Sequence, residues 1–429
     1  MALLCASLLS VAQLGCGQGV GDEKRTEIIR TADGAFQLLH NGEVLEIRGA
    51  GGREQLEALK AAGGNALRTW GIDDLERTIE GEAFLDYVYA RGFVVVAGIW
   101  VQHERHGFDY RDPVQVQAQR ESIREAVLKY RDHPAILLWG LGNEVEAFRD
   151  DDDDTHVWQE WNHLAEIVKE ADPSRPVMAT VAGLTSEKIA KVQRYGDAFD
   201  ILGVNAYAAA IVTGDQLKQA GFDRPFVLAE FGPRGHWEVA ETDWGAPLEP
   251  TGNEKAEQYL NTYKTVMADA GDLCLGTFVF LWGHKQETTG TWYGMFLESG
   301  EKLPTVDAMT YAWTGEYPEN RCPELISVRF EAHLQRISPG SEWPVFVEAK
   351  DPQDQPLRFT WEVISEQTEP SVGGDREPIP PKHPEAVVES DGPTALVRAP
   401  DSPGAYRLFV TIRNDSNSAT TANFPFKVE

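Results

Sequence analysis

The stretch Leu137-Leu138-Trp139-Gly140-Leu141-Gly142-Asn143-Glu144 is an apolar run that ends in an amide and a carboxylate. The apolar part predicts a buried strand, and the polar pair stands where that strand ends. Because removing a carboxylate from water costs free energy, a glutamate at such a place indicates chemistry rather than packing. Phe226-Val227-Leu228-Ala229-Glu230-Phe231-Gly232 repeats the design. We therefore expect two glutamates at the ends of two strands of one sheet.

Strand and helix patterns alternate on both sides of this stretch. The predicted strands are residues 45–50, 65–70, 93–101, 135–142, 176–181, 201–207, 226–231 and 275–282. The segments between them carry apolar residues at helical spacing. Eight such repeats predict a parallel (β/α)8 TIM barrel of the α/β class. A doubly wound sheet is the alternative architecture, but no glycine-rich phosphate loop follows the first strand.

The barrel is expected to occupy residues 26–316, with a hairpin over residues 26–48 at its start. Prolines become frequent after Trp313 and helical periodicity ends. Residues 323–429 predict a small all-β sandwich of the Ig-like or cadherin-like kind. Its predicted strands are residues 344–349, 357–363, 395–398, 405–413 and 423–428, with a long loop over residues 370–384. The barrel should fold without this sandwich, unless the sandwich braces it.

The composition limits the partners of the protein. It has 68 acidic against 39 basic residues and a formal net charge of −29. Such a surface repels phosphate backbones, so we expect no nucleic-acid partner. Since no cysteine and histidine cluster or other set of ligands stands out, we expect no metal and no cofactor. The oligomeric state is left open.

The N-terminus indicates export. Residues 2–14 are mostly small and apolar but too few to span a bilayer, so residues 1–20 resemble an export signal. Leu14-Gly15-Cys16 resembles the end of a bacterial lipoprotein cleavage site, which makes a lipid anchor on Cys16 the expected membrane contact. An ordinary signal or a merely apolar tail are the alternatives. We expect a periplasmic, outer-membrane-anchored or extracellular protein of a bacterium, in which Cys274 and Cys322 are free to form a disulfide.

The candidate site residues lie at the carboxyl ends of the predicted strands, which all face one mouth of a parallel barrel. They are Arg68, Trp70, His103, Asn143, Glu144, Asn205, Tyr207, Glu230 and Trp282. Two carboxylates among hydrogen-bonding groups suit glycoside hydrolysis, in which one carboxyl group protonates the leaving oxygen and the other attacks or activates water. Indole rings stack on the apolar faces of sugars. The sequence therefore predicts a carbohydrate substrate.

The segment His133-Pro134-Ala135-Ile136 followed by Leu137 to Glu144 resembles the acid/base signature of glycoside hydrolase family 2. More broadly it is similar to clan A of the glycoside hydrolases, the retaining barrels with glutamates on the fourth and seventh strands. The resemblance extends to residues 65–70, 172–176, 203–207 and 228–232 and covers about residues 28–316. It implies Glu144 as acid/base and Glu230 as nucleophile.

The same resemblance implies further roles. Asn143 would bind the sugar 2-hydroxyl, Tyr207 and Arg68 would orient the nucleophile, and Trp282 would form the floor of the first subsite. Family 2 enzymes usually carry sandwich domains before the barrel, whereas only a hairpin precedes it here, so the substrate is not carried over. The favoured hypothesis is a retaining β-glycosidase acting on a β-linked glycan. A β-glucan-remodelling transglycosylase and a non-catalytic glycan-binding surface lipoprotein are the alternatives.

Overall fold

A computed structural model describes residues 25–146, 154–371 and 373–429. The expected export signal and Cys16 lie outside these ranges. In the part of the chain that is described, no helix is long and apolar enough to cross a membrane.

The described elements follow the chain in this order. The strands are β1 (Thr26–Arg30), β2 (Phe36–His40), β3 (Glu43–Val44), β4 (Ile47–Gly51), β5 (Ala66–Arg68), β6 (Thr78–Ile79), β7 (Glu82–Ala83), β8 (Val94–Ile99), β9 (Ile136–Asn143), β10 (Val177–Ala182), β11 (Ile201–Asn205), β12 (Phe226–Phe231), β13 (Cys274–Val279), β14 (Glu324–Phe330), β15 (Arg336–Ile337), β16 (Glu342–Lys350), β17 (Arg358–Ser365), β18 (Val387–Asp391), β19 (Thr394–Arg398), β20 (Gly404–Arg413) and β21 (Ala419–Val428). The helices are α1 (Leu56–Ala61), α2 (Ile72–Leu75), α3 (Phe84–Ala90), α4 (Pro113–Tyr130), α5 (Thr155–Ala171), α6 (Ser186–Tyr195), α7 (Thr213–Gln219), α8 (Gly252–Ala270) and α9 (Pro304–Thr314).

Eight parallel strands close into a barrel in the order β4, β5, β8, β9, β10, β11, β12, β13, which confirms the predicted architecture. The strand that carries Glu230 has the predicted bounds, Phe226–Phe231. The eighth strand ends at Val279, three residues before its predicted end. This shorter strand changes which aromatic side chain faces the mouth of the barrel.

Residues 172–176, one of the segments that carry the family resemblance, hold the first residues of β9, the strand that leads to Glu144. These residues lie at the amino-terminal ends of the strands, here called the lower end of the barrel. The guanidinium group of Arg175 is buried and donates to the backbone oxygens of Ile136 (2.8 Å) and His133 (3.0 Å). It also forms an ion pair of 2.8 Å with Asp172, whose carboxylate accepts from the indole of Trp139 at 2.9 Å. Because these groups lie at the end of the barrel remote from the two glutamates, they serve stability rather than chemistry.

The N-terminal segment closes the lower end of the barrel. The predicted hairpin is instead a three-stranded antiparallel sheet, because the chain turns again at Asn41-Gly42 and pairs β3 with β2. Leu38 of β2 packs into the barrel interior beside Ile47 and Met178. The backbone nitrogen of Phe36 donates to the oxygen of Asp272 at 2.8 Å and ties the sheet to the barrel.

The C-terminal region consists of two four-stranded sheets with a shared apolar core, as predicted for a sandwich. The sheet orders are β14-β16-β19-β18 and β15-β21-β20-β17. Sequence reasoning missed β14, β15 and β18. The last two are two and five residues long, and β18 is mostly exposed. Such strands show little of the apolar alternation that identifies a strand.

Buried polar contacts join the sandwich to the barrel. The Arg407 side chain is buried, donates to Glu366 at 2.9 Å and lies 3.9 Å from the barrel carboxylate Glu249. The barrel residue Asn253 accepts from the backbone of Leu325 at 3.0 Å. A charged group is thus buried at the seam between the two units, and independent folding of the barrel stays a prediction.

The expected disulfide is wrong, since Cys274 and Cys322 are both buried free thiols. Cys274 opens β13 at the lower end of the barrel, where its thiol donates to the oxygen of Gly276. Cys322 lies against the first turn of α9, and its backbone nitrogen donates to Asp307 at 2.6 Å. That helix begins on the side where the strands end, so the two cysteines lie at opposite ends of the barrel.

Candidate active site

Glu230 lies at the end of β12, where its carboxylate is buried and surrounded by donors. Its Oε1 accepts from Nη1 of Arg68 at 2.6 Å and from Nε1 of Trp70 at 2.9 Å. The hydroxyl group of Tyr207 lies 3.5 Å from Oε2. An arginine and an indole directed at one oxygen stabilise a negative charge there and fix the direction of the other oxygen. This geometry suits a nucleophile.

Glu144 leaves the strand in an unusual backbone conformation. Its φ is +54°, in the left-handed region that few residues other than glycine adopt, and Gly142 before it has a φ of +73°. The register between β9 and β10 shifts where Thr180 faces Asn143, and the Glu144 nitrogen donates to the Thr180 oxygen at 2.8 Å. This local bend turns the glutamate into the mouth of the barrel. Strained backbone of this kind is common at functional sites.

The environment of Glu144 favours its protonated form. Burial, followed by the negative charge of Glu230, raises the pKa of Glu144 to about 7. Nδ2 of Asn205 donates to Oε1 of Glu144 at 2.8 Å and partly opposes this shift. A carboxyl group that keeps its proton near neutral pH is suited to general acid catalysis. The two glutamates therefore have different electrostatic environments within one site.

Asn143 connects the two glutamates. Its Oδ1 accepts from Nη2 of Arg68 at 2.6 Å and from Nδ2 of Asn205 at 3.1 Å. Two donors on the oxygen assign the amide orientation, so the nitrogen is the remaining polar group of the Asn143 side chain. The amide is thus held in place by the same side chains that hold Glu230 and Glu144.

These groups line a cavity of about 700 Å³ at the mouth of the barrel. Of the predicted site residues, the cavity lining contains Trp70, Asn143, Glu144, Asn205, Tyr207 and Glu230. Arg68 lies beneath the lining and acts through Glu230 and Asn143. Burial and the charge of Glu230 raise the pKa of Tyr207 well above its usual value, so its hydroxyl keeps its proton as a donor. The structure brings six of the predicted side chains to one surface.

Trp282 does not line the cavity, so its prediction as the floor of a subsite is wrong. Its ring is buried in the main core against Phe296 and Trp313, and its Nε1 donates to the oxygen of Gln55 at 3.1 Å. Phe280 takes the cavity position, edge-on to Trp70 and Tyr207 with ring centroids 6.2 Å away in both cases. The reason is the early end of β13, which makes Phe280 the first residue past the strand.

His103 does not line the cavity either, so its prediction as a ligand-binding residue is wrong. Its ring stacks on Trp100 with centroids 4.9 Å apart, and Trp100 lines the cavity in its place. Burial lowers the pKa of His103 to about 4, which keeps the ring neutral at physiological pH. His103 thus packs behind Trp100, an aromatic residue of the cavity lining.

Several lining residues were not among the predicted site residues. They are Trp100, Ala182, Gly183, Ala206, Ala209, His236, Trp237, Glu238, Phe280, Leu281, Lys285, Glu287, Ser371, Gly373, Gly374 and Asp375. Trp100 and Trp237 carried a signal, because tryptophans in loops near strand ends suit sugar platforms. The last four belong to the sandwich. Among the described residues, no group of three or more possible ligands could hold a metal ion.

The fold and the arrangement of the site resemble those of a catalytic barrel of glycoside hydrolase clan A. Residues 84–236 match the family described as "Glycosyl hydrolases family 2, TIM barrel domain". The chain therefore carries a family 2-like catalytic barrel, as the sequence resemblance implied.

Relatives of known identity support this class. The chain is 24% identical over 242 residues to a β-glucuronidase of Paenibacillus borealis, a match that covers 49% of this chain and 38% of that protein. A crystal structure of a Bacteroides uniformis β-glucuronidase aligns with a TM-score of 0.50 and 16% identity, over 94% of this chain and 48% of that one. A structure of B. uniformis β-glucuronidase 2, covalently bound to cyclophellitol-6-carboxylate aziridine, aligns with a TM-score of 0.51 and 14% identity. That alignment covers 94% of this chain and 48% of the other. The chain thus spans half or less of these relatives, and the structural likeness shows the fold alone.

Proposed function

We propose that the protein is a retaining β-glycosidase that hydrolyses β-linked glycans by double displacement. The observation that carries the proposal is the difference between two carboxyl groups that share a cavity. Glu230 accepts hydrogen bonds from Arg68 and Trp70, whereas the pKa of Glu144 is raised to about 7. Two carboxyl groups in such different environments divide the roles of nucleophile and acid.

The mechanism has two steps. Glu144 donates its proton to the glycosidic oxygen while Glu230 attacks the anomeric carbon, which forms a glycosyl ester and releases the alcohol. Esterification removes the negative charge of Glu230, so the pKa of Glu144 falls and its carboxylate becomes a base. Glu144 then takes a proton from water as the water oxygen attacks the anomeric carbon. Glu230 leaves as a carboxylate, and the sugar keeps its β configuration.

The charges around the cavity favour a neutral sugar over a uronic acid. Lys285 is the cation among the described lining residues, and its Nζ lies 2.8 Å from Oε2 of Glu287. The lining also contains Glu238 and Asp375. A sugar carboxylate would have to compete with Glu287 for Lys285. A β-glucuronide is nevertheless the second candidate, because Lys285 could exchange partners and some relatives are β-glucuronidases.

The test is hydrolysis of p-nitrophenyl β-glycosides of glucose, galactose, mannose, xylose and glucuronic acid. We expect release of nitrophenol from a neutral glycoside and loss of turnover in Glu230→Gln. Proton NMR of the first product should show the β-anomer. An α-anomer would assign Glu230 as the base of an inverting enzyme, and hydrolysis of the glucuronide alone would favour the second candidate. Product analysis with added acceptor sugar distinguishes the hydrolase from the transglycosylase alternative.

We further propose that the protein acts outside the cytoplasm after removal of its N-terminal segment, because residues 2–14 have the composition of an export signal. If Cys16 carries a lipid, Cys16→Ser should move the protein from the membrane fraction to the soluble exported fraction. Recovery of cytoplasmic protein with an intact Met1 would contradict both the export and the anchor.

A further inference from the structure

Part of the active-site cavity is built by the sandwich rather than by the barrel. Residues 373–377, here called the wall segment, lie between β17 and β18 and contribute Gly373, Gly374 and Asp375 to the cavity lining. The lining is otherwise made of residues at or beyond the carboxyl ends of the barrel strands, together with Ser371. A segment of a second structural unit thus lies in the same cavity as both glutamates.

Hydrogen bonds attach the wall segment to the barrel, and one of them joins Nε2 of His106 to Oδ2 of Asp375 at 3.3 Å. The oxygen of Gly374 accepts from Nζ of Lys285 at 2.8 Å. Oδ2 of Asp375 accepts from Nη1 of Arg105 at 3.0 Å. Oε2 of Glu377 accepts from the backbone nitrogen of Thr288 at 2.7 Å. Each of these bonds has an ionised donor or acceptor, which makes it stronger than a hydrogen bond between neutral groups.

The contacts reach two separate barrel loops. Arg105 follows β8, whereas Lys285 and Thr288 follow β13. In the closed barrel β4 and β5 lie between these two strands. The wall segment therefore spans the mouth above β4 and β5, on the side where Trp70 and Trp100 lie.

The wall segment is held from its own side as well. The buried carboxylate of Glu377 accepts from the backbone nitrogen of Ser371 at 2.9 Å through Oε1, while Oε2 binds the barrel. Gly374 has a φ of +78°, and a Cβ there would lie 3.0 Å from Nζ of Lys285. The lysine side chain could move away from such a Cβ, so it is the positive φ that favours glycine at this position. The segment has the contacts of a fixed wall.

We propose that the wall segment completes the active site and determines which part of a glycan can enter it. A wall across one side of the mouth admits the end of a glycan chain but stops a longer chain from crossing the cavity. The protein then removes units from chain ends, and residues 373–377 are the determinant of this selectivity. This inference rests on the proposed glycosidase function.

The test compares the products of full-length variants on short end-labelled β-linked oligosaccharides of the sugar selected by the aryl glycoside panel. One variant lacks residues 373–376, and a second, Asp375→Ala, keeps the segment but removes the contacts of this carboxylate to Arg105 and His106. Wild-type protein should shorten each oligosaccharide from one end. The excision should raise the ratio of internal to terminal cleavage by about tenfold or more, and Asp375→Ala should move it in the same direction. Asp401→Ala, at an exposed sandwich position outside the cavity lining, is the matched control and should keep the wild-type products.

Hydrolysis of the aryl glycoside reports that each preparation is folded. Internal cleavage by wild-type protein would contradict the proposal that the wall segment restricts cleavage to chain ends. Unchanged products from an active excision variant would contradict it as well. If the excision variant does not fold, Asp375→Ala alone tests the proposal, and an unchanged ratio of internal to terminal cleavage in that variant would contradict it. Absence of hydrolysis of every aryl glycoside by wild-type protein would instead overturn the glycosidase function, and the wall proposal with it.

Discussion

Glu144 and Glu230 are the two ends of one chain of hydrogen bonds. Asn205 donates to Glu144 (2.8 Å) and to Asn143 (3.1 Å), and Arg68 donates to Asn143 and to Glu230 at 2.6 Å each. The acid and the nucleophile are thus positioned by one shared network rather than by two independent ones. A change at its centre should disturb both.

Asn143→Ala tests the centre of this chain. The substitution removes the acceptor for Arg68 and Asn205 and a polar side chain from the cavity lining. We expect kcat/KM on an aryl β-glycoside to fall by about 10²–10³-fold, the usual cost of losing one well-placed polar group at a transition state. Asn261→Ala on the exposed surface of α8 is the control. A loss below tenfold would mean that Asn143 is not required for the geometry of either glutamate.

Asn205→Ala should shift the pH dependence of activity. Catalysis needs protonated Glu144, so activity should fall as pH rises through about 7. The hydrogen bond from Asn205 stabilises the charged form and lowers the pKa of Glu144, so its loss should raise that pKa. The alkaline limb of kcat/KM against pH is therefore expected to move to higher pH. Movement to lower pH would show that Asn205 acts on Glu144 in another way.

Glu144→Gln should stabilise the protein at alkaline pH. The folded state raises the pKa of Glu144 from 4.5 to about 7, so native protein holds this proton more tightly than unfolded chain. The contribution to stability is fully present below pH 4.5 and is lost as pH rises through about 7. Glutamine cannot ionise, so thermal melting at pH 8 should give a higher Tm for the variant than for wild type. At pH 5 the difference should be small, and equal shifts at both pH values would contradict the assignment.

Arg407→Leu tests the seam between barrel and sandwich. Removing the guanidinium leaves Glu366 without its buried partner and takes a positive charge away from Glu249. We expect a loss of about 3–5 kcal/mol in the free energy of unfolding, measured by urea denaturation. The matched control is Arg398→Leu, whose partner Glu342 is exposed, with an expected change of about 1 kcal/mol or less. Equal losses in both variants would show that the seam does not brace the barrel.

The sequence was sufficient to predict the barrel and its paired glutamates because the strands are long apolar runs with a polar residue at the end. Trp282 and His103 were misplaced for a physical reason. Periodicity identifies a strand but does not fix its last residue, and the eighth strand ends at Val279 rather than at residue 282. Past that end, alternation no longer tells which side chain faces the cavity, so Phe280 was missed.

The wall segment could not be predicted from local patterns. Gly374 contacts a residue 89 positions earlier in the chain, and Asp375 contacts one 270 positions earlier. Its glycines and charged residues are those of an ordinary surface loop. Only the packing of the sandwich on the barrel brings them to the cavity, and that packing leaves no periodic signature in the sequence.

Placing one wall of the cavity in a separate unit also has an evolutionary consequence. The loop between β17 and β18 can lengthen, shorten or change its charges without altering any strand or catalytic residue of the barrel. Selection on that loop would change the range of glycans accepted while the chemistry stays constant. Proteins that share this barrel and differ in the length of this loop should therefore differ in chain-length preference before they differ in rate on a simple aryl glycoside.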